Sequence, residues 1–253
     1  MTAPPALLIA GHGTRDEAGA EAFLDFVREL ARRNPGLPVG GGLDELVGQG
    51  VRRIAAVPLT LAPAGPAEGT IPAALTRETE RHPDISCAYG RPLGPHPSLL
   101  KVLERRLDDA LDGTARTPLD RADVTVLLVG RGASDPEANA EVHRAARLLW
   151  EGRGYAGVEP AFVSLAAPDV PSGLDRCVRL GARRIVVLPY FLFTGSLPQR
   201  VRAQTEGWAA AHPEVEVRSA DVIGPEEELL ALVMERYQEA VEGDPRMGDG
   251  ERA

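Results

Sequence analysis

Leu7-Leu8-Ile9-Ala10-Gly11-His12-Gly13, near the amino terminus, is answered by Val126-Leu127-Leu128-Val129-Gly130-Arg131-Gly132, with Asp16 falling opposite Asp135. In both, a short apolar run is closed by a glycine-bounded turn, as when a buried strand of a parallel sheet hands over to a helix. Two further pairs repeat in the same order. Gly50-Val51-Arg52-Arg53-Ile54 is matched by Gly181-Ala182-Arg183-Arg184-Ile185, each leading into a Val/Leu run that ends in Pro58 or Pro189. His82-Pro83 is matched by His212-Pro213, and Gly94-Pro95 by Gly224-Pro225. Segments that converge in one order, at offsets of 119 to 131 residues, mark an internal duplication.

Each half alternates strands with helices. Strands are predicted at 6–10, 53–59 and 85–89 in the first half, and at 124–129, 158–165, 184–188 and 215–219 in the second. Helical spacing links Ala20, Phe23, Leu24, Val27, Leu30 and Ala31, and again Leu229, Leu230, Val233, Tyr237 and Ala240. Asp135-Pro136-Glu137 supplies an N-cap, a proline at the first helical position and an acid in the first turn. The predicted fold class is α/β: two tandem flavodoxin-like domains, each a parallel sheet of about four strands with helices on both faces. Domain one is expected over 1–112, a linker over 113–123, domain two over 124–242 and a flexible tail over 243–253.

The halves are unequal. Gly13 to Gly50 spans 37 positions and Gly132 to Gly181 spans 49, so the first half lacks twelve residues around its second strand. What remains there, Pro38-Val39-Gly40-Gly41-Gly42-Leu43, holds one good strand former. That edge strand is expected to be shortened or lost.

Composition excludes several classes. With 253 residues, 43% hydrophobic and 26% charged, the chain can bury an ordinary core, which rules out disorder and fibrous repeats. The apolar run at 6–10 is too short to cross a bilayer, and no basic stretch precedes it as a signal peptide requires. A soluble cytoplasmic protein is expected. Cys87 and Cys177 lack metal-binding spacing and are expected to be free thiols. A net charge of -9 argues against nucleic-acid or membrane partners, so an anionic ligand must find a local basic pocket.

Chemistry concentrates in the loops after the first strands, since parallel α/β sheets bind ligands beyond their carboxyl edges. In Gly11-His12-Gly13-Thr14-Arg15 the glycines leave the imidazole unobstructed, and the following helix offers free N–H groups. His12 so placed either ligates a metal or accepts a proton, or it packs and caps a turn. Its counterpart, Arg131, can do neither chemistry, so a single chemical site belongs to the first half. Arg15 and Arg131 can each hold a carboxylate by a bidentate fork, with surface ion pairing as the alternative. His82, His96, His143 and His212 read as caps or solvated positions. Tyr190, Phe191 and Phe193 offer a resting place for a flat ring, with core packing the favoured reading.

Taken together, Leu8–Asp16, Val57-Pro58-Leu59, Leu128–Pro136 and Leu188–Gly195 resemble the long, two-domain sirohydrochlorin chelatases of siroheme and cobalamin synthesis. The resemblance extends to about Val241. It implies two chelatase-like domains of the class II chelatase fold and a lyase activity, insertion of Fe2+ or Co2+ into an eight-carboxylate tetrapyrrole. His12 would take a pyrrole proton or hand over the metal, and Gly13, Thr14, Arg15 and Arg131 would bind substrate. No prosthetic group, redox cofactor or nucleotide is implied, because the cation is itself a substrate. The chain would act as a monomer or homodimer on a tetrapyrrole small molecule.

Two positions depart from the family pattern and imply a degraded first-domain active site. A second histidine is expected in an Ala-Gly-His turn, which here reads Ala64-Gly65-Pro66, and proline offers no ligand. A glutamate expected at the end of the second strand falls in the twelve-residue gap. Glu68 is the best replacement ligand beside His12. The alternatives are a non-catalytic member that binds tetrapyrrole or metal, or a partner of an active chelatase. A phosphoryl-transfer domain ranks last, because no Gly-x-x-x-x-Gly-Lys loop is present and no arginine precedes His12.

Overall fold

The computed structural model describes residues 3–11, 16–62, 75–77, 80–114 and 117–247. The first repeat contributes β1 (Ala6–Ala10), α1 (Glu17–Arg33), β2 (Val39–Gly40), α2 (Leu43–Gly48), β3 (Arg53–Pro58), β4 (Ser86–Tyr89) and α3 (Pro97–Ala110). The second contributes β5 (Val124–Gly130), α4 (Pro136–Trp150), β6 (Gly157–Phe162), α5 (Val170–Arg179), β7 (Arg184–Pro189), α6 (Ser196–Ala211), β8 (Glu216–Ser219) and α7 (Glu227–Gly243). All strand pairs are parallel, in the orders β2-β1-β3-β4 and β6-β5-β7-β8.

The chain divides into two compact units that do not coincide with the two repeats. One is Met1–Leu93 with Glu227–Ala253, and the other is Gly94–Glu226. Each repeat therefore gives up its last helix: α7 packs on β3 and β4 of the first unit, and α3 on β7 of the second. The reason is burial. Leu7, Ile9, Ala55 and Val57 are fully enclosed, as are Val126, Leu128, Val186 and Leu188, so both faces of each sheet must be covered. In the first unit Ala6, Leu8, Ile54 and Ala56 pack with Leu46 of α2. In the second, Leu127, Val129, Ile185 and Val187 pack with Leu174 of α5 and Val201 of α6.

Repeat-equivalent arginines fasten the exchanged helices. Arg106 of α3 donates from Nε to the Val222 carbonyl at 2.8 Å, and Arg236 of α7 donates from Nε to the Pro92 carbonyl at 3.3 Å. Both donors and both acceptors lie 130 positions apart in sequence. Arg236 is only 4% exposed and is neutralised by Glu235 and Glu239 at 3.0 and 2.9 Å. Tyr237 adds a hydrogen bond to the Pro5 carbonyl at 2.6 Å.

Several expectations are refined. β2 survives as two residues, pairing Leu7 with Val39 and Leu8 with Gly40. β6 stops at Phe162 instead of residue 165, because Ser164 turns to donate to the Arg131 carbonyl and Leu165 takes φ 58°. The expected flexible tail is ordered as far as residue 247. Pro245–Met247 forms a 3-10 turn whose Met247 is buried, and its carbonyl accepts from Arg53 at 2.8 Å. The expected linker carries Arg121, 4% exposed, bound to Glu104 at 2.6 Å and Asp108 at 2.9 Å on α3, with its guanidinium 5.2 Å from the Tyr155 ring centre. Among the described residues no helix is long and apolar enough to cross a membrane.

A chain ended at Asp112 keeps α3 but lacks the α7 that covers β3. In the intact chain α3 leaves its own sheet to cover the matching strand of the other repeat, so two truncated copies are expected to cover each other's β3 by exchanging α3. Its urea midpoint should rise with protein concentration. A cooperative transition independent of concentration would contradict the helix exchange.

Arg121 supports a second test. Glu104 is drawn opposite ways, upward by burial and downward by hydrogen bonds and charge from Arg121 and Arg153, and on balance it titrates below the usual glutamate range. Burial is also the main influence on Asp108 and leaves it raised, with Arg121 opposing. A lowered carboxyl stabilises fully above its ordinary pKa and loses that contribution as pH falls through the lowered value. Arg121→Met should therefore cost about 3 kcal/mol at neutral pH and clearly less near about pH 3, where protonated carboxyls need no cation. Chemical denaturation at the two pH values measures the difference.

Candidate functional site

The candidate site lies beyond the carboxyl ends of β1 and β3 in the first unit, with an equivalent edge beyond β5 and β7 in the second. Of the residues singled out by sequence, His12, Gly13, Thr14, Arg15 and Glu68 lie outside the described residues, as does the turn Ala64-Gly65-Pro66. The frame around them is defined. Leu59 donates to the Ala10 carbonyl at 2.9 Å, which ties the loop after β3 to the end of β1. Thr60, one residue on, is 9% exposed, and its Oγ1 has no hydrogen-bond partner among the described residues. Asp16 occupies the N-cap position of α1 with extended backbone.

Gly11 leaves room for the ring of Phe23. A Cβ there would lie 2.7 Å from Cε2 of Phe23. The second repeat shows the same constraint: a Cβ on Gly130 would lie 2.8 Å from Cγ2 of Val142. Phe23 and Val142 each sit seven positions after their N-cap aspartates, Asp16 and Asp135. The helix thus crosses the end of the first strand at one fixed point in both repeats, and a side chain there would have to displace Phe23 or Val142.

The equivalent loop in the second unit is described in full. Arg131 is exposed at the end of β5, and its guanidinium has no ion pair or hydrogen bond among the described residues. Gly132 takes φ 83°, and a Cβ on it would lie 1.8 Å from the Ser164 carbonyl oxygen. Ala133 is held through both backbone groups by the Asn139 amide, at 2.8 and 2.9 Å. Asp135 accepts from the Glu137 amide at 3.1 Å and caps α4. This edge presents a cation on a rigid mount and no proton acceptor in the position of His12.

The other candidates resolve by position. His96 caps α3, accepting from the Ser98 amide at 3.3 Å. His212 ends α6, stacked on Trp208 at 3.9 Å with Nδ1 at 2.9 Å from the Trp208 carbonyl oxygen. His143 is exposed on α4. Tyr190 and Leu192 are buried and Phe191 packs on the core, so that segment serves packing. Burial pushes the Cys87 thiol up to about 11 and the Cys177 thiol to about 12, so both remain protonated at neutral pH. Among the described residues no three His, Cys, Asp or Glu side chains are grouped to hold a metal ion. In the second unit a cleft of about 170 Å3 includes Thr194, Gln199, Arg202 and Asp221 in its walls, with Arg202 and Asp221 paired at 3.2 Å. No motif announced that cleft in the sequence, because its walls come from three separate segments.

Two parallel four-stranded sheets covered by helices define a tandem chelatase-like α/β protein. The family model described as CbiX matches residues 6–110 and 125–240, and the chain belongs to that family. It is 34% identical to a sirohydrochlorin cobaltochelatase of Priestia megaterium, over 95% of this chain and 81% of that protein. It is 30% identical to a sirohydrochlorin ferrochelatase of Bacillus subtilis, over 85% of this chain and 84% of that one. Among solved structures, SirB from Bacillus subtilis with Fe3+ superposes with a TM-score of 0.75 at 26% identity, covering 94% of this chain and 95% of SirB.

The two uses of glycine are separable by substitution. Gly132→Ala drives a methyl group into a fixed carbonyl and should cost about 3 kcal/mol or more. Gly181→Ala, at φ 99° with nothing within 4 Å, should cost about 1 kcal/mol for backbone strain alone. Urea denaturation of the two variants tests the ranking.

Proposed function

We propose that this chain inserts a divalent cation, Fe2+ or Co2+, into sirohydrochlorin. The observation that carries the reading is the match of both repeats to relatives named as sirohydrochlorin cobaltochelatase and ferrochelatase, at 34% and 30% identity. In the reaction two pyrrole N–H bonds break and two protons leave, while four metal–nitrogen bonds form, two to the deprotonated nitrogens and two to the lone pairs of the others. The protein must therefore supply a base near the macrocycle centre and cations for its rim.

His12 is the base or the metal donor, since an imidazole can accept a proton or release a borderline cation near neutral pH. Glu68 is its partner ligand. Gly13, Thr14 and Arg15 on the loop, and Arg131 on the equivalent loop, bind the substrate carboxylates, for which a guanidinium fork is matched. Exposure of Arg131 and its lack of a protein counter-ion among the described residues support that role. Metal and macrocycle are both substrates, so no prosthetic group is required. The protein works in the cytoplasm as a monomer or homodimer, where its two protonated thiols suit a reducing medium.

Anaerobic incubation with sirohydrochlorin and Co2+ or Fe2+, followed by absorbance, tests this. The protein should metallate faster than the protein-free mixture. His12→Ala should lower the excess rate by about 100-fold or more, the scale of general acid–base catalysis. Pro66→His should raise it. No excess rate in the parent protein, unchanged by either substitution, would falsify the proposal.

A further inference from the structure

Leu165 combines two costs that a loop ordinarily avoids. It is 68% exposed, and it stands at φ 58°, in the left-handed region that a branched side chain disfavours. Glycine or asparagine would hold the same backbone more cheaply. The position is not accidental. The Ser164 amide donates to the Arg131 carbonyl at 3.0 Å, and Gly132 lies against the Ser164 carbonyl oxygen so closely that no Cβ fits between them. The Phe162 amide donates to the Pro168 carbonyl at 2.9 Å and closes the loop behind it. The exposed leucine and the exposed arginine thus flank one rigid junction, at the carboxyl ends of neighbouring strands β6 and β5.

We infer that Leu165 and Arg131 form a substrate-contact pair. The leucine would meet the apolar face of a flat macrocycle, and the guanidinium would meet a carboxylate on its rim. The inference rests on the proposed chelatase reading and names residues that would position its substrate. A flat polycarboxylate is the ligand that calls for an apolar contact and a free cation side by side, and Arg131 has no acidic partner among the described residues. The strained backbone belongs to a tight turn centred on Leu165, which the Ala166 amide closes by donating to the Ser164 carbonyl at 2.7 Å, beside the Gly132–Ser164 junction.

Equilibrium titration of the metal-free reaction mixture, protein plus sirohydrochlorin under anaerobic conditions, reads the pair directly, with thermal melting as the second measurement. Leu165→Asn should melt about 2–4 °C higher, since asparagine tolerates this backbone, and should bind about tenfold more weakly. Leu165→Met, which keeps an apolar side chain, should bind as the parent does. Arg131→Gln should also bind about tenfold more weakly, with a smaller loss on adding salt than the parent shows. If Leu165→Asn binds with parental affinity, or loses affinity only together with a lowered melting temperature, the contact role is overturned while the chelatase reading stands. If the parent binds no sirohydrochlorin, both fall together.

Discussion

The fold depends on two arginines that reach across the repeat boundary. Arg106 and Arg236 occupy the same position in the last helix of their repeats, and each donates to the backbone carbonyl that the other repeat places opposite, at Val222 and Pro92. Charged donors on carbonyls that would otherwise lack partners fix where the exchanged helix lies along the sheet. The helices then complete the burial of strands that are apolar on both faces. Gly90 marks the closeness of this packing, since a Cβ there would lie 3.3 Å from the Arg236 carbonyl oxygen. Neither sheet is finished by its own repeat, so the sites built on the two sheet edges depend on the whole chain.

A second constraint acts at the carboxyl edge of each sheet. Helix α1 crosses the end of β1 at Gly11, and α4 crosses the end of β5 at Gly130. The side chains that make the crossing differ for a reason visible in the strands. In the second unit β6 runs level with β5 as far as Phe162 opposite Gly130. In the first, β2 ends opposite Leu8, so Ile9 and Ala10 have no strand beside them on that side. Phe23 replaces valine there, and its ring lies close to both Gly11 and Gly41. The larger side chain occupies part of the space that a longer strand fills in the other repeat.

Much of this was legible before any coordinates. The duplication, the parallel α/β class, the shortened second strand and the Asp135 cap all follow from apolar runs, glycine positions and repeat spacing, which are local signals. The helix exchange was not legible. Residues 97–110 carry the apolar spacing of a helix that must cover a sheet, but periodicity says nothing about which sheet. Arg106 and Arg236 carried the missing information as a pair, and their equivalence becomes meaningful only when the carbonyls they bind are known. The ordered Met247 was hidden for a similar reason, since a single methionine in a charged, glycine-containing segment gives no period. Leu165 ends an apolar run in the sequence, and the turn that exposes it is closed by the Ala166 amide on the Ser164 carbonyl, a backbone contact that side-chain pattern does not encode.

The two loop edges have diverged in a way that one chemical argument unites. Metal insertion needs one proton acceptor and several anion-binding groups, so a duplicated scaffold gains nothing from two identical edges. At the equivalent position the first repeat has His12 and the second has Arg131, whose guanidinium offers hydrogen-bond donors and no acceptor. The surroundings of Arg131 suit a charge held in one place. Asn139 grips the next residue but one from both sides, and Gly132 locks the loop against Ser164. A cation that binds carboxylates gains from surroundings that do not move. The β6 strand that provides this rigidity in the second unit is the strand that the first repeat has cut to two residues.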